Sequence, residues 1–228
     1  MTELVAYRLD NGVATITLDD GKANVMSESM ISAIAGALDR AEADRAVVLL
    51  TGRSRMFSAG YDLATFSRSP EDIRRTMRAG GDLIHRLLEF PFPVVAACPG
   101  HAIAQGAFTL LATDVRFGIA GDFKLGLNEV AIGLTVPHYG VEVARHRLTA
   151  PGFDRAMNTG ILVDPAEARD MGFLDVLVAD ADELHVRATA EAHRLTGIDF
   201  GAHTQTKLRV RAQVCAAVRT GIDSEFGA

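Results

Sequence analysis

Two short, uninterrupted apolar runs constrain this chain most: Ala46–Thr51 (AVVLLT) and Val94–Ala97 (VVAA). A strand with one wet face alternates apolar and polar residues. A strand apolar at every position is covered on both faces, as parallel strands between helices are. Helical patterns lie between these runs. Met26, Met30, Ile34, Ala37 and Leu38 recur at helical spacing. Ser69-Pro70-Glu71-Asp72 reads as a helix start, with a cap, a first-turn proline and two acids at the positive end of the dipole. That helix is expected to run to about Glu89, where Pro91 and Pro93 stop it, although Gly80-Gly81 weakens its middle. Val115–Ile119 is a third strand after a helix. Helices that alternate with buried strands predict an α/β fold.

The edges of this pattern are also legible. Leu4–Leu9 and Val13–Leu18 flank Asp10-Asn11-Gly12, and Asn-Gly between β-prone runs is a strong hairpin signal. From Pro137 onward the chain reads as helical. Asp164-Pro165-Ala166-Glu167 caps one helix, Phe173–Val178 is a short strand, and Asp182–Leu195 and Ala202–Arg219 are amphipathic helices. The expected organisation is a core domain over residues 1–180. A helical region over 181–228 then packs on that core or on a neighbouring subunit.

Composition narrows the function classes. A net charge of −6 over 228 residues gives no electrostatic reason to expect nucleic acid. Val94–Ala112 is long and apolar, but Pro99, Gly100, His101 and Gln105 interrupt it. A strand, a turn and a helix explain it better than a membrane span. The N-terminus MTELVAYRLD lacks the pattern of a signal peptide, and Cys98 and Cys215 show no metal-type spacing. The expectation is a cytoplasmic protein with reduced thiols. His138, Glu142 and His146 are spaced by four, but the two histidines lie about 12 Å apart along a helix, too far for one metal ion. No metal site is expected.

Three segments carry the chemistry. The first is Phe57–Leu63 (FSAGYDL), where small residues let backbone N–H groups approach a ligand oxygen. Val94–Asp114 (VVAACPGHAIAQGAFTLLATD) is the second. The third, Leu125–Pro137 (LGLNEVAIGLTVP), embeds the acidic Glu129 in an apolar stretch. An isolated glutamate usually faces solvent. Here apolar neighbours would raise its pKa and suit it to proton transfer.

Together these segments resemble the crotonase superfamily, the enoyl-CoA hydratases and isomerases. The resemblance runs from the hairpin to about Val178 and implies a crotonase-like fold of repeated ββα units with a C-terminal helical region. It implies an acyl-CoA thioester as substrate, with no cofactor beyond the coenzyme A that the substrate carries, and a homotrimer or dimer of trimers. By the same resemblance the backbone N–H groups of Tyr61 and Gln105 form an oxyanion hole. Gln105 stands where the family has glycine, with a side chain bulky enough to crowd the acyl group, and Ala104 replaces another glycine. Lys22, Ala23, Ala59, Asp62, Leu63 and Phe108 map to the substrate and coenzyme A site. The hydratases carry two glutamates; the first maps to Phe108, which can neither hold nor deprotonate water. The second maps to Glu129, and LGLNE followed by Gly133 and Pro137 is most similar to the Δ3,Δ2-enoyl-CoA isomerases. The implied activity is isomerisation of a 3-enoyl-CoA to the trans-2-enoyl-CoA. Hydration and acyl-CoA binding without catalysis are the alternatives.

Overall fold

The computed structural model describes residues 4–227. Its element order repeats strand–strand–helix three times. The first unit is β1 (Val5–Asp10), β2 (Val13–Leu18) and α1 (Glu28–Ala43). Next come β3 (Val47–Gly52), β4 (Arg55–Ser58) and α2 (Pro70–Glu89), then β5 (Val94–Cys98), β6 (Gly100–Ile103) and α3 (Gln105–Leu111). After these follow β7 (Val115–Ile119), β8 (Leu125–Gly126), α4 (His138–Arg147), α5 (Ala150–Thr159), β9 (Leu162–Val163), α6 (Pro165–Met171) and β10 (Val176–Val178). Two long helices end the chain, α7 (Ala181–Leu195) and α8 (Phe200–Phe226).

The large sheet has the order β1-β2-β3-β5-β7-β10. Only β1 and β2 are antiparallel within it, joined through Asn11 and Gly12, both at positive φ as a tight hairpin turn requires. The continuous apolar runs behave as expected. Val48 and Leu50 face a core shared with α1, α2, α3 and α4. Val47 and Leu49 face a second core under α7. Each such side chain contributes ~1.5–3 kcal/mol by leaving water, and a strand with one apolar face could fill only one of these layers. Helix α8 extends well beyond Ala202–Arg219, and its Val214, Val218 and Ile222 join the first core.

The second sheet is absent from the sequence reading. It has the order β4-β6-β8-β9, in strands of two to four residues. The reading took residues 94–112 as one strand, a turn and a helix; the structure places a further strand, β6, after the turn. Gly100 starts that strand because a methyl group there would lie 2.0 Å from the Arg55 carbonyl oxygen. This small sheet carries the candidate site: β4 and β6 each lead directly into one of the two expected donors.

Candidate active site

Strand β4 ends at Ser58, and the chain turns through Ala59 and Gly60 to Tyr61. Gly60 has φ +87°, and a methyl group on it would sit 2.9 Å from the Ala104 Cβ and 3.3 Å from the Gln105 nitrogen. The turn therefore lies directly against the start of α3. Neither the Tyr61 N–H nor the Gln105 N–H donates to a protein group among the described residues. Two backbone donors without a protein partner thus lie on the turn and on the helix start that pack against each other.

The turn is held by Asn24, which the sequence reading passed over. Asn24 is fully buried at φ +49°. Its amide donates to the carbonyls of Leu18 at 2.9 Å and Phe57 at 3.1 Å. Its own carbonyl accepts from the Ser58 hydroxyl at 2.7 Å, and that hydroxyl accepts from the Gly60 N–H. The Ala59 N–H donates to the Ala23 carbonyl, and the Met26 N–H to the Gly60 carbonyl. Ser58 is thus a brace for the donor turn.

A cavity of about 160 Å³ opens beside this turn. Ala59, Tyr61, Leu63, Phe108 and Glu129 all line it, together with Ala104. Sequence reasoning missed the rest of the wall: Phe66, Met77, Asn128, Ile132, Leu134, Thr135 and Pro137. These residues carry no reactive group that would single them out, and they converge only through the fold. Lys22, Ala23 and Asp62 do not line the cavity. Lys22 is solvent-exposed, Ala23 straps the turn through its carbonyl, and Asp62 caps a short 3-10 helix by accepting from the Ala64 N–H.

Gln105 departs from expectation. Its side chain is fully buried and points away from the cavity. Its Nε2 donates to the Gly80 carbonyl at 3.0 Å, and its Oε1 accepts from the Tyr139 hydroxyl at 2.9 Å. It takes no part in the cavity wall. The strain lies one residue earlier: Ala104 has φ +52° and ψ −122°, a backbone conformation that favours glycine. Ala104 forms part of the cavity wall.

Glu129 sits at the start of a 3-10 turn over Val130–Ile132 and is 7% exposed. Its Oε2 is buried and has no hydrogen-bond partner among the described residues. Burial is the main cause that pushes its carboxyl up to about 7, outweighing a backbone hydrogen bond that acts the other way. A buried carboxyl near neutrality can accept a proton and return it. Phe108 is buried in the cavity wall and meets the Tyr139 ring edge-on at 6.1 Å. Its ring packs as part of that wall.

The remaining candidates lie elsewhere. On α4, His138 pairs with Glu225 and Glu142 with Arg145. Burial and the neighbouring Arg147 push the His146 imidazole down to about 4. No described helix is long and apolar enough to cross a membrane.

Residues 8–226 match the family model for enoyl-CoA hydratase/isomerase. The chain belongs to that family. Its fold is the crotonase fold. A solved enoyl-CoA hydratase/isomerase family protein from Pseudomonas syringae is 44% identical, with 99% of this chain and 97% of that chain covered and a TM-score of 0.96. A Mycobacterium tuberculosis protein, solved once under the name enoyl-CoA isomerase and once as a probable enoyl-CoA hydratase, is 36–37% identical, with 98% of this chain and 96–98% of that chain covered and a TM-score of 0.94. A probable enoyl-CoA hydratase from Bacillus subtilis is 30% identical over 82% of this chain and 74% of its own length. Family members at similar distance thus carry both activity names, and the choice between them rests on the cavity.

Proposed function

We propose that this family member is an enoyl-CoA isomerase that converts a 3-enoyl-CoA to the trans-2-enoyl-CoA. One observation carries the reading: Glu129 is the single carboxylate among the described residues lining the cavity, and Phe108, which by the resemblance stands at the hydratases' other glutamate, lines it as well. Hydration needs one group to hold and deprotonate water and another to protonate the α-carbon. Isomerisation needs only one group that moves a proton between two carbons of the same substrate.

In this scheme the thioester oxygen accepts from the Tyr61 and Gln105 N–H groups. Glu129 takes a proton from C2, and the electron pair of that bond moves onto the thioester oxygen. The double bond re-forms between C2 and C3, and Glu129 returns the proton to C4. Preorganised donors aimed at the developing oxyanion are worth roughly 3–4 kcal/mol each. The apolar wall keeps Glu129 poised near neutrality.

Hydration is the second reading. Relatives carry that name, and Asn128 and Thr135 supply polar atoms to the cavity. The test is the ratio of the two activities on substrates of matched chain length. Isomerisation should exceed hydration by about 100-fold or more, the low end of what one acid–base group contributes. Comparable hydration overturns the proposal, and acyl-CoA binding with neither activity makes the chain a non-catalytic binder. The reading also includes assembly as a trimer or a dimer of trimers. Exposed Val186 on α7 and Val210 on α8 support it. Light scattering that finds a monomer at micromolar concentration would remove that part alone.

A further inference from the structure

The side chains of the two proposed oxyanion donors share a partner. The Tyr61 and Tyr139 hydroxyls are 2.7 Å apart, and the Tyr139 hydroxyl donates to Gln105 Oε1 at 2.9 Å. An amide oxygen cannot donate, so the Tyr139 proton is committed to Gln105. Tyr61 therefore donates to Tyr139 at 2.7 Å rather than to the Met77 carbonyl, which lies at 3.5 Å. At the far end, Gln105 Nε2 donates to the Gly80 carbonyl at 3.0 Å. The result is one directional chain: Tyr61 to Tyr139 to Gln105 to the backbone of α2.

The fold makes room for this chain in a specific way. A methyl group on Gly80 would lie 1.8 Å from the Tyr61 hydroxyl and 3.0 Å from Gln105 Nε2. One on Gly81 would lie 3.1 Å from the Tyr139 ring. The Gly80-Gly81 pair therefore seats the two tyrosines and the glutamine against the helix. Tyr139 and Gln105 are fully buried, and their chain is satisfied at every member, the condition under which a buried polar network rigidifies its surroundings.

We infer that the Tyr139 hydroxyl and the Gln105 side chain are positioning residues that set the spacing of the Tyr61 and Gln105 backbone donors. Each donor N–H belongs to a residue whose side chain is an end or a middle of this chain. The turn from β4 and the start of α3 come from different strands, and the Tyr139 hydroxyl, on α4, is the hydrogen-bonded tie between their side chains. The glutamine in place of a glycine is then part of how this site is built. The inference rests on the acyl-thioester reading above, because a donor spacing matters only if an oxygen is held there.

The test uses the full chain with sorboyl-CoA, a conjugated dienoyl thioester whose absorption moves to longer wavelength when its carbonyl is polarised by hydrogen bonds. Tyr139→Phe keeps the ring and deletes the tie. Tyr61→Phe deletes only the outer hydroxyl and serves if Tyr139→Phe does not fold. For Tyr139→Phe the isomerase kcat should fall about 10- to 100-fold, short of the roughly 100- to 1,000-fold loss of a donor outright. KM should stay within about 3-fold, and the red shift of bound sorboyl-CoA should shrink in step with kcat. Tyr61→Phe should show the same pattern to a smaller degree. If the hydroxyls serve stability alone, the thermal midpoint drops while kcat and the red shift hold in both variants, and the inference is overturned. If wild type itself neither binds sorboyl-CoA nor shifts its spectrum, the acyl-thioester reading fails first and this inference with it.

Discussion

Two carboxylates in this protein are both withdrawn from water and have opposite surroundings. Glu129 is 7% exposed and its Oε2 lacks any partner among the described residues. The Asp114 side chain is 16% exposed, but its oxygens accept from Lys207 and Arg211 at 2.8 and 2.7 Å and from the Val94 N–H at 2.8 Å. Burial raises both carboxyls. At Asp114 the two cations and the backbone donor overcome it and hold the group below its ordinary value. At Glu129 nothing does, and the carboxyl rises to about 7. The comparison teaches that burial alone does not mark a reactive acid. A buried acid that has been given partners ties elements together, here β5 and α8; one left without them is free to exchange a proton.

The largest expected effect lies at the unpartnered acid. Glu129→Gln keeps the shape and removes the base, so isomerisation should fall by ~100- to 10,000-fold while acyl-CoA binding persists. Steady-state kinetics and calorimetry on one preparation check both halves. In wild type, kcat/KM should rise with pH through an apparent pKa near 7, the value at which Glu129 loses its proton. A flat profile between pH 5 and 9, bounded well away from that value, would detach Glu129 from the rate.

At the partnered acid the effect should be on stability. Asp114→Asn leaves Lys207 and Arg211 buried and facing one another, 4% and 6% exposed. Removing one partner of a buried ion pair costs ~3–5 kcal/mol. Urea unfolding would read this as a lower midpoint at unchanged slope. A change below about 1 kcal/mol, the range of exposed pairs, would mean that the cluster is not a tie.

The pH dependence of stability separates the two acids by sign. Glu129 has a folded pKa above its unfolded one. Its full contribution is present below pH 4.5 and is lost as the pH rises to about 7. Moving the carboxyl from 4.5 to about 7 corresponds to ~3 kcal/mol. Glu129→Gln should therefore be more stable than wild type at pH 8 by up to that amount, with the gap closing toward pH 4.5. Asp114 has the opposite sign: its contribution is present above pH 3.8 and is lost as the pH falls through its lowered folded value. Urea midpoints for Glu129→Gln and wild type across pH 4.5 to 8 provide the check. A constant gap between them would remove the desolvated-acid account of Glu129.

The contrast between these acids was only half legible in the sequence. Glu129 stood out because a charged residue interrupts an apolar run. Asp114 did not, because its partners come from a helix more than ninety residues later. The large sheet was legible because Val47–Leu50 and Val94–Ala97 are apolar at every position. Strands β8 and β9, two residues each, carry no periodicity to read. The small residues of the donor turn alone read equally as an ordinary tight turn; the turn was placed by the resemblance of its motif to the family. The direction of the Gln105 side chain was not, because Tyr139 and Gly80 decide it. Lys22 and Asp62 were assigned to the site from their place in a motif; Lys22 lies at the surface and Asp62 caps a short 3-10 helix.

The smallest expected effect comes from Lys207 and tests whether Asp114 needs both of its cations. The two sides of this ion pair disagree in direction about its strength. Asp114 is held down by its partners, yet the Lys207 ammonium is pushed down to about 8 by burial, with Arg211 and Arg147 adding repulsion. The ion pair therefore stabilises the carboxylate more than it stabilises the lysine. In Lys207→Met, Oδ1 keeps Arg211 and Oδ2 keeps the Val94 N–H, so the carboxylate remains satisfied. Replacing a buried ion by an apolar side chain of similar length is often neutral or stabilising, and Lys207→Met should lie within ~1 kcal/mol of wild type at pH 7. Below about 8 the folded protein must keep a charge its surroundings disfavour, and this cost disappears as the pH rises toward 10.5. Methionine should therefore compare best at pH 7 and lose ground toward pH 10. Urea midpoints at the two pH values measure it. A loss at pH 7 as large as that of Asp114→Asn would show that the second cation is indispensable, and that Asp114 and Glu129 differ by two partners rather than by one.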